Sequence, residues 1–123
     1  MNQHNNKYPF PHQRLDAHRV ALELGVAAVR MSDRIPRGYR NLADQLKRAG
    51  SAVPALVTEG ANRLGRGEKR QRFNEARAEC GEVAGLVELL VALELVQCEE
   101  AAGIMHLAGR EAAMLTKLVR RFS

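Results

Sequence analysis

Apolar residues recur along this chain at intervals of three and four, the period of helices packed on one face. Leu15, Leu22, Val26 and Val29 form one stripe, with Leu24, Ala28, Met31 and Ile35 in a second beside it. They predict a first helix from about Leu15 to Asp33, stopped by Pro36 and Gly38. One stripe serves a bundle core. Two make a face wider than a monomeric bundle needs, which points to a subunit interface.

The second helix is expected from about Tyr39 to Leu64, on Leu42, Leu46, Ala49, Val53, Val57 and Leu64. Pro54 interrupts it, removing one backbone hydrogen bond and crowding the Gly50 carbonyl. A break near Ser51 competes with a kink. The apolar period stays in phase across Pro54, which favours a kinked, continuous helix. Gly65 and Gly67 mark the next turn.

Phe73, Ala76, Cys80, Val83, Val87 and Leu90 predict a third helix from about Glu68 to Val96, its face widened by Leu86, Leu89 and Leu93. The fourth runs from about Glu99 to Arg121, with Ile104, Leu107, Leu115, Leu118 and Phe122 facing inward. Four amphipathic segments on short connections predict an all-α, antiparallel up-down-up-down four-helix bundle over residues 14–123. Residues 1–13, with two prolines, read as an irregular N-terminal tail whose Tyr8 and Phe10 could dock on the bundle or a neighbour.

Composition agrees with a helical core. The chain has 123 residues, 46% of them hydrophobic but only 4% aromatic, with no Trp. The core must be built from Leu, Val and Ala, in one domain that needs no disulfide or metal staple. Cys80 and Cys98 read as small buried hydrophobes. The absence of a signal segment or long apolar run points to a cytoplasmic protein with no membrane contact.

Charge divides the chain. Glu79 to Gly109 holds six acids and no Lys or Arg, so all 19 basic residues lie elsewhere and give a net charge of +5. Such a split suits a polyanion partner or self-complementary assembly. Arg63, Arg66, Lys69, Arg70 and Arg72 fall within ten residues. Lys117, Arg120 and Arg121 form a second group, which an alternating bundle brings to the same end, and Arg34, Arg37 and Arg40 lie at the other. The first two groups are the candidate nucleic-acid-binding residues. With few aromatics for base stacking, they should read phosphates rather than sequence.

Enzymatic motifs are thin. None of His4, His12, His18 and His106 follows a Glu by three residues, so no bundle-core metal site or other cofactor is expected. Glu75, Glu79 and Glu82 share a helix face and read as a solvated or salt-bridged surface. Ser32, Ser51 and Ser123 lack a nucleophile's context. Gly65 to Lys69 offers glycine amides before a helix but not a nucleotide-hydrolysis motif.

The segment QLKRAGSAVPALVTEG, Gln45 to Gly60, resembles the signature Gln-Ile/Leu-Arg/Lys-Arg-Ala-x-x-Ser-Ile/Val-Pro-x-Asn-Ile-Ala-Glu-Gly of the 23S rRNA intervening-sequence proteins. Leu15 to Leu24, and Phe73, Ala76, Arg77 and Glu82, are similar to that family's first and third helices. Leu56 stands where the family has Asn, His18 where an aromatic is common, and Ala78-Glu79 where Gly-Ser is usual. The resemblance implies a homopentameric ring, no catalytic residues, and kinship with a retroelement accessory protein that binds nucleic acid and a reverse transcriptase. The expected function is therefore a non-enzymatic, homo-oligomeric accessory protein for RNA or DNA. The alternative is a ring-shaped scaffold for a protein partner. Glu59, counted outward from the turn, should lie level with Phe73, near Arg72 and Arg77.

Overall fold

The computed structural model describes residues 7–123; the first six residues of the expected tail, His4 among them, lie outside the described residues. Four α-helices pack against one another: α1 Asp16–Asp33, α2 Arg40–Asn62, α3 Arg66–Ala92 and α4 Cys98–Arg121. No strand occurs among the described residues. Short 3-10 turns, Pro11–Arg14 and Arg37–Tyr39, precede α1 and α2. Each helix packs on the next, and α1 also packs on α4. Arg34, just past α1, pairs with Glu100 in the first turn of α4. At the opposite end Arg66 of α3 donates to the Arg121 carbonyl of α4 at 2.7 Å. No helix among the described residues is long and apolar enough to cross a membrane.

The core is made of small and branched side chains around one aromatic. Val20, Ala21, Leu24 and Ala28 of α1, Leu46, Ala49, Val53 and Val57 of α2, and Ile104 and Leu115 of α4 are buried. All six residues of the α3 stripe, from Phe73 to Leu90, are buried as their spacing predicts. Of the two α1 stripes, the one containing Leu24, Ala28 and Met31 enters the core, while Leu22 and Val26 remain about half exposed. Leu64 lies beyond the end of α2 and is 98% exposed, so it is no part of the core.

Helix α2 is continuous across Pro54, without a break at Ser51. Helix packing explains the glycines nearby. A Cβ on Gly25 would lie 3.2 Å from the Gly50 carbonyl, the one that Pro54 leaves without an intrahelical donor, and 3.3 Å from the Pro54 ring. A Cβ on Gly50 would lie 2.4 Å from that of Ala28. Backbones of α1 and α2 thus meet where side chains are absent.

Helix α3 stops at Ala92, before the predicted Val96. Glu94 takes a positive φ of 59°. The Leu95 and Glu94 amides donate back to the Leu90 and Val91 carbonyls, both at 2.9 Å. This is a Schellman cap, with Glu where Gly is usual. Cys80 is buried as expected; Cys98, expected to be buried, is exposed, because it is the first residue of α4 at the rim of the bundle. Of the tail aromatics, Tyr8 and Phe10 are exposed, and Phe10 stacks on His12 at 5.9 Å.

Candidate nucleic-acid interface

The α2–α3 turn and the end of α4 bring the two predicted basic groups together. Arg63 sits past the last turn of α2, 3.8 Å from Glu68. Arg72 lies between Glu59 at 3.3 Å and Glu75 at 3.0 Å. These two cations therefore face carboxylates. The Glu59–Arg72 pair is the one expected from counting outward from the turn; Arg77 instead donates to the Thr116 hydroxyl at 2.7 Å.

Lys69 has a role the sequence did not disclose. Its ammonium donates to the Ala61 carbonyl at 2.8 Å, capping the carbonyl end of α2. Arg66, Lys69 and Arg121 converge on the ring of Phe122, 5.4, 5.7 and 5.5 Å from its centre. Arg70, Lys117 and Arg120 are exposed. None of these six cations pairs with a carboxylate among the described residues. Lys117, Arg120 and Arg121 also sit near the carbonyl end of α4, where cations are favoured.

The middle of the molecule is polar in a different way. Arg48 holds Glu79 at 3.1 Å and also pairs with Glu82. Together with the Arg72–Glu75 pair, this makes the acidic α3 face a salt-bridged surface. It borders a groove of about 610 Å³ lined by Ala52, Ala55, Leu56 and Ala78. Among the described residues no three His, Cys, Asp or Glu side chains cluster as metal ligands would.

One buried ionisable group escaped the sequence reading. Glu111 of α4 is fully buried, and neither carboxylate oxygen has a hydrogen-bond partner. Burial pushes its pKa up to about 8, opposed by Arg110 on the same helix. The signal was present: Ile104, Ala108, Glu111 and Leu115 follow spacings of 4, 3 and 4, so Glu111 occupies a core position.

The Gln45–Gly60 segment acquires a structural meaning from these neighbours. Arg48 clamps α3 through Glu79 and Glu82, Gly50 and Pro54 seat α1, and Glu59 pairs with Arg72. Gly60 leaves room for Phe73, whose ring would lie 2.8 Å from an added Cβ. The segment fixes how three helices meet.

Residues 13–117 match the family model described as 23S rRNA-intervening sequence protein, and the chain belongs to that family. A crystal structure from Bacteroides thetaiotaomicron, described as a protein with unknown function from the S23 ribosomal protein family, shares the fold. Its TM-score is 0.79 at 20% identity, covering 85% of this chain and 95% of that one. No curated protein matches.

Proposed function

We propose that this member of the 23S rRNA-intervening sequence protein family is a non-enzymatic, homo-oligomeric accessory protein that binds nucleic acid through the basic end of its bundle. The observation behind this reading is that Arg66, Lys69 and Arg121 converge on Phe122, while Arg70, Lys117 and Arg120 flank them in sequence and none of the six has a carboxylate partner among the described residues. Arg63 and Arg72 border that edge, their charge offset by Glu68, Glu59 and Glu75. A patch of free cations attracts phosphate backbones and releases their counterions, with little regard to sequence.

Arg70, Lys117 and Arg120 make the cleanest test, because their side chains form none of the bundle's hydrogen bonds or ion pairs among the described residues. Changing all three to Ala should leave the helical fold intact and weaken binding to mixed-sequence RNA and DNA alike. The slope of log affinity against log salt should fall by roughly 0.7–0.9 for each phosphate that is no longer neutralised. Equal binding by triple variant and wild type across a salt series would show the edge to be a solubility feature.

Assembly is part of the same reading. Leu22 and Val26, 47% and 48% exposed, border an apolar groove of about 310 Å³ with Gly25, Val29, Arg30 and Pro54. The family resemblance suggests a ring of five, and repeated basic ends on one ring would add avidity to weak single-subunit binding. Sedimentation at micromolar concentration should show an oligomer, and Leu22→Lys with Val26→Lys should shift it toward monomer. A wild-type monomer would defeat the assembly claim.

The scaffold reading keeps one observation in its favour. A second apolar groove is lined by Val87, Val91, Ala101 and Met105. That surface suits a protein partner, and loss of the nucleic-acid reading would move it forward.

A further inference from the structure

Phe122 occupies an unusual place at the basic end. Half-buried just past α4, its ring stacks on the buried Phe73 with centres 6.0 Å apart and planes inclined by 27°. Beside it opens a cleft of about 180 Å³ with Leu15, Ala61, Phe73 and Leu118 for walls and Lys69 and Arg121 at its polar edge. A cavity of about 150 Å³ holds one benzene ring. The cleft is therefore on the scale of a single aromatic group.

The charges around it are unbalanced. Arg66, Lys69 and Arg121 all lie within 5.7 Å of the Phe122 ring centre. Like charges gathered round one ring repel, weakly where water screens them, and their attraction to the ring offsets part of that. Arg66 and Lys69 are oriented there by hydrogen bonds to the Arg121 and Ala61 carbonyls. Lys69 keeps a further N–H, and both guanidinium groups keep several, for an incoming acceptor.

An occupant that relieves this arrangement needs a flat apolar body and an anionic group next to it. A nucleotide whose base is unpaired has both; a duplex hides the base inside the stack. We propose that the Phe122 cleft receives an unpaired base of single-stranded nucleic acid, with Arg66, Lys69 and Arg121 on the flanking phosphates. This deepens the nucleic-acid reading and rests on it. It adds one base-stacking position to a surface that otherwise reads only phosphates. Sequence preference stays low, because every base has a face that stacks.

The chain has no Trp, so Phe122→Trp places a single indole in the cleft. The full-length variant would be titrated with a mixed-sequence single-stranded oligonucleotide, the same strand made abasic, and the duplex. The single strand should quench the indole and bind roughly 10-fold tighter than the abasic strand, with the duplex leaving the emission unchanged. Measured by anisotropy, the wild type should show the same preference. Phe122→Leu, which keeps the apolar volume, should lose most of it while retaining helicity and the salt slope.

Equal affinity for the intact and abasic strands, with salt-dependent binding preserved, overturns the base cleft and leaves the phosphate reading standing. Salt-insensitive or absent binding to all three overturns both. Emission that responds to protein dilution but not to oligonucleotide means that a second copy of the chain fills the cleft, and this too overturns the proposal.

Discussion

Replacing Glu111 by Met should stabilise the bundle, by a margin that widens as the pH rises from about 5 to about 8 and then stays constant. The Glu111 carboxyl is fully buried and has no hydrogen-bond partner. Burial raises its pKa from 4.5 to about 8, against the smaller opposing effect of Arg110. In the unfolded chain the group ionises near its ordinary value. Between those two pKa values the folded state holds a proton that the unfolded state has lost, so stability falls as pH rises. The slope is at most about 1.4 kcal/mol per pH unit. Below the lower value both states are protonated, and above the upper value both are ionised, so the slope vanishes on either side. Cys80, coupled to Glu111 from α3, is itself pushed up to about 12, first by burial and then by the charge on Glu111, and stays a thiol throughout the window.

Met has a similar length and no ionisable group. Some gain should remain even near pH 5, since a neutral carboxyl buried without a partner costs about 1–3 kcal/mol. Denaturant unfolding of both proteins, at several pH values and one protein concentration, gives the difference directly. Histidine titration common to both, such as that of His18, whose pKa burial and nearby His12 hold below the usual value, cancels in that difference. A margin unchanged between pH 5 and pH 8 would mean that the fold does not raise the pKa of Glu111.

Features set by local spacing were legible in the sequence, and those set by where helices meet were legible only in part. The α3 stripe from Phe73 to Leu90 could be read because each residue follows the last by three or four positions, and all are buried. The Glu59–Arg72 pair followed from counting residues outward from one turn. Helix ends were harder. The chain leaves α2 at Arg63, so the apolar period that reaches Leu64 in the sequence no longer describes a helix there. On α4, Glu111 is easily missed, because a charged side chain draws attention to its chemistry and away from its register. Phe122 read as an inward core residue. Its ring of cations depends on the start of α3 meeting the end of α4, which no local pattern records. The same applies to Lys69, whose charge marked it for phosphate but whose ammonium also caps α2.

The glycines of α2 give the second large effect. Gly inside a helix is worth about 1 kcal/mol less than Ala, so a helix-propensity argument alone predicts that Gly50→Ala stabilises. The packing predicts the opposite. The new Cβ would fall 2.4 Å from the Cβ of Ala28, a distance that real side chains do not tolerate. Neither atom is the end of a flexible chain, so the backbones of α1 and α2 must separate. Overpacking of this kind costs about 1–3 kcal/mol, and Pro54, packed against Gly25 one turn further along, leaves little freedom to absorb it. Gly50→Ala should therefore lower stability by up to about 2 kcal/mol net of the propensity gain. Adding Ala28→Gly removes the colliding Cβ and leaves the Ala28 Cα 3.8 Å away, an ordinary van der Waals separation. The double variant should recover most of the loss, with a coupling between the two sites of about the same size. Gly109→Ala serves as the control. Nothing lies within 4 Å of its added Cβ, so propensity alone acts and the change should stabilise by up to about 1 kcal/mol. If Gly50→Ala stabilised as much as Gly109→Ala, the close approach of α1 and α2 would not constrain the bundle. The packing account of the Gln45–Gly60 segment would then fail with it.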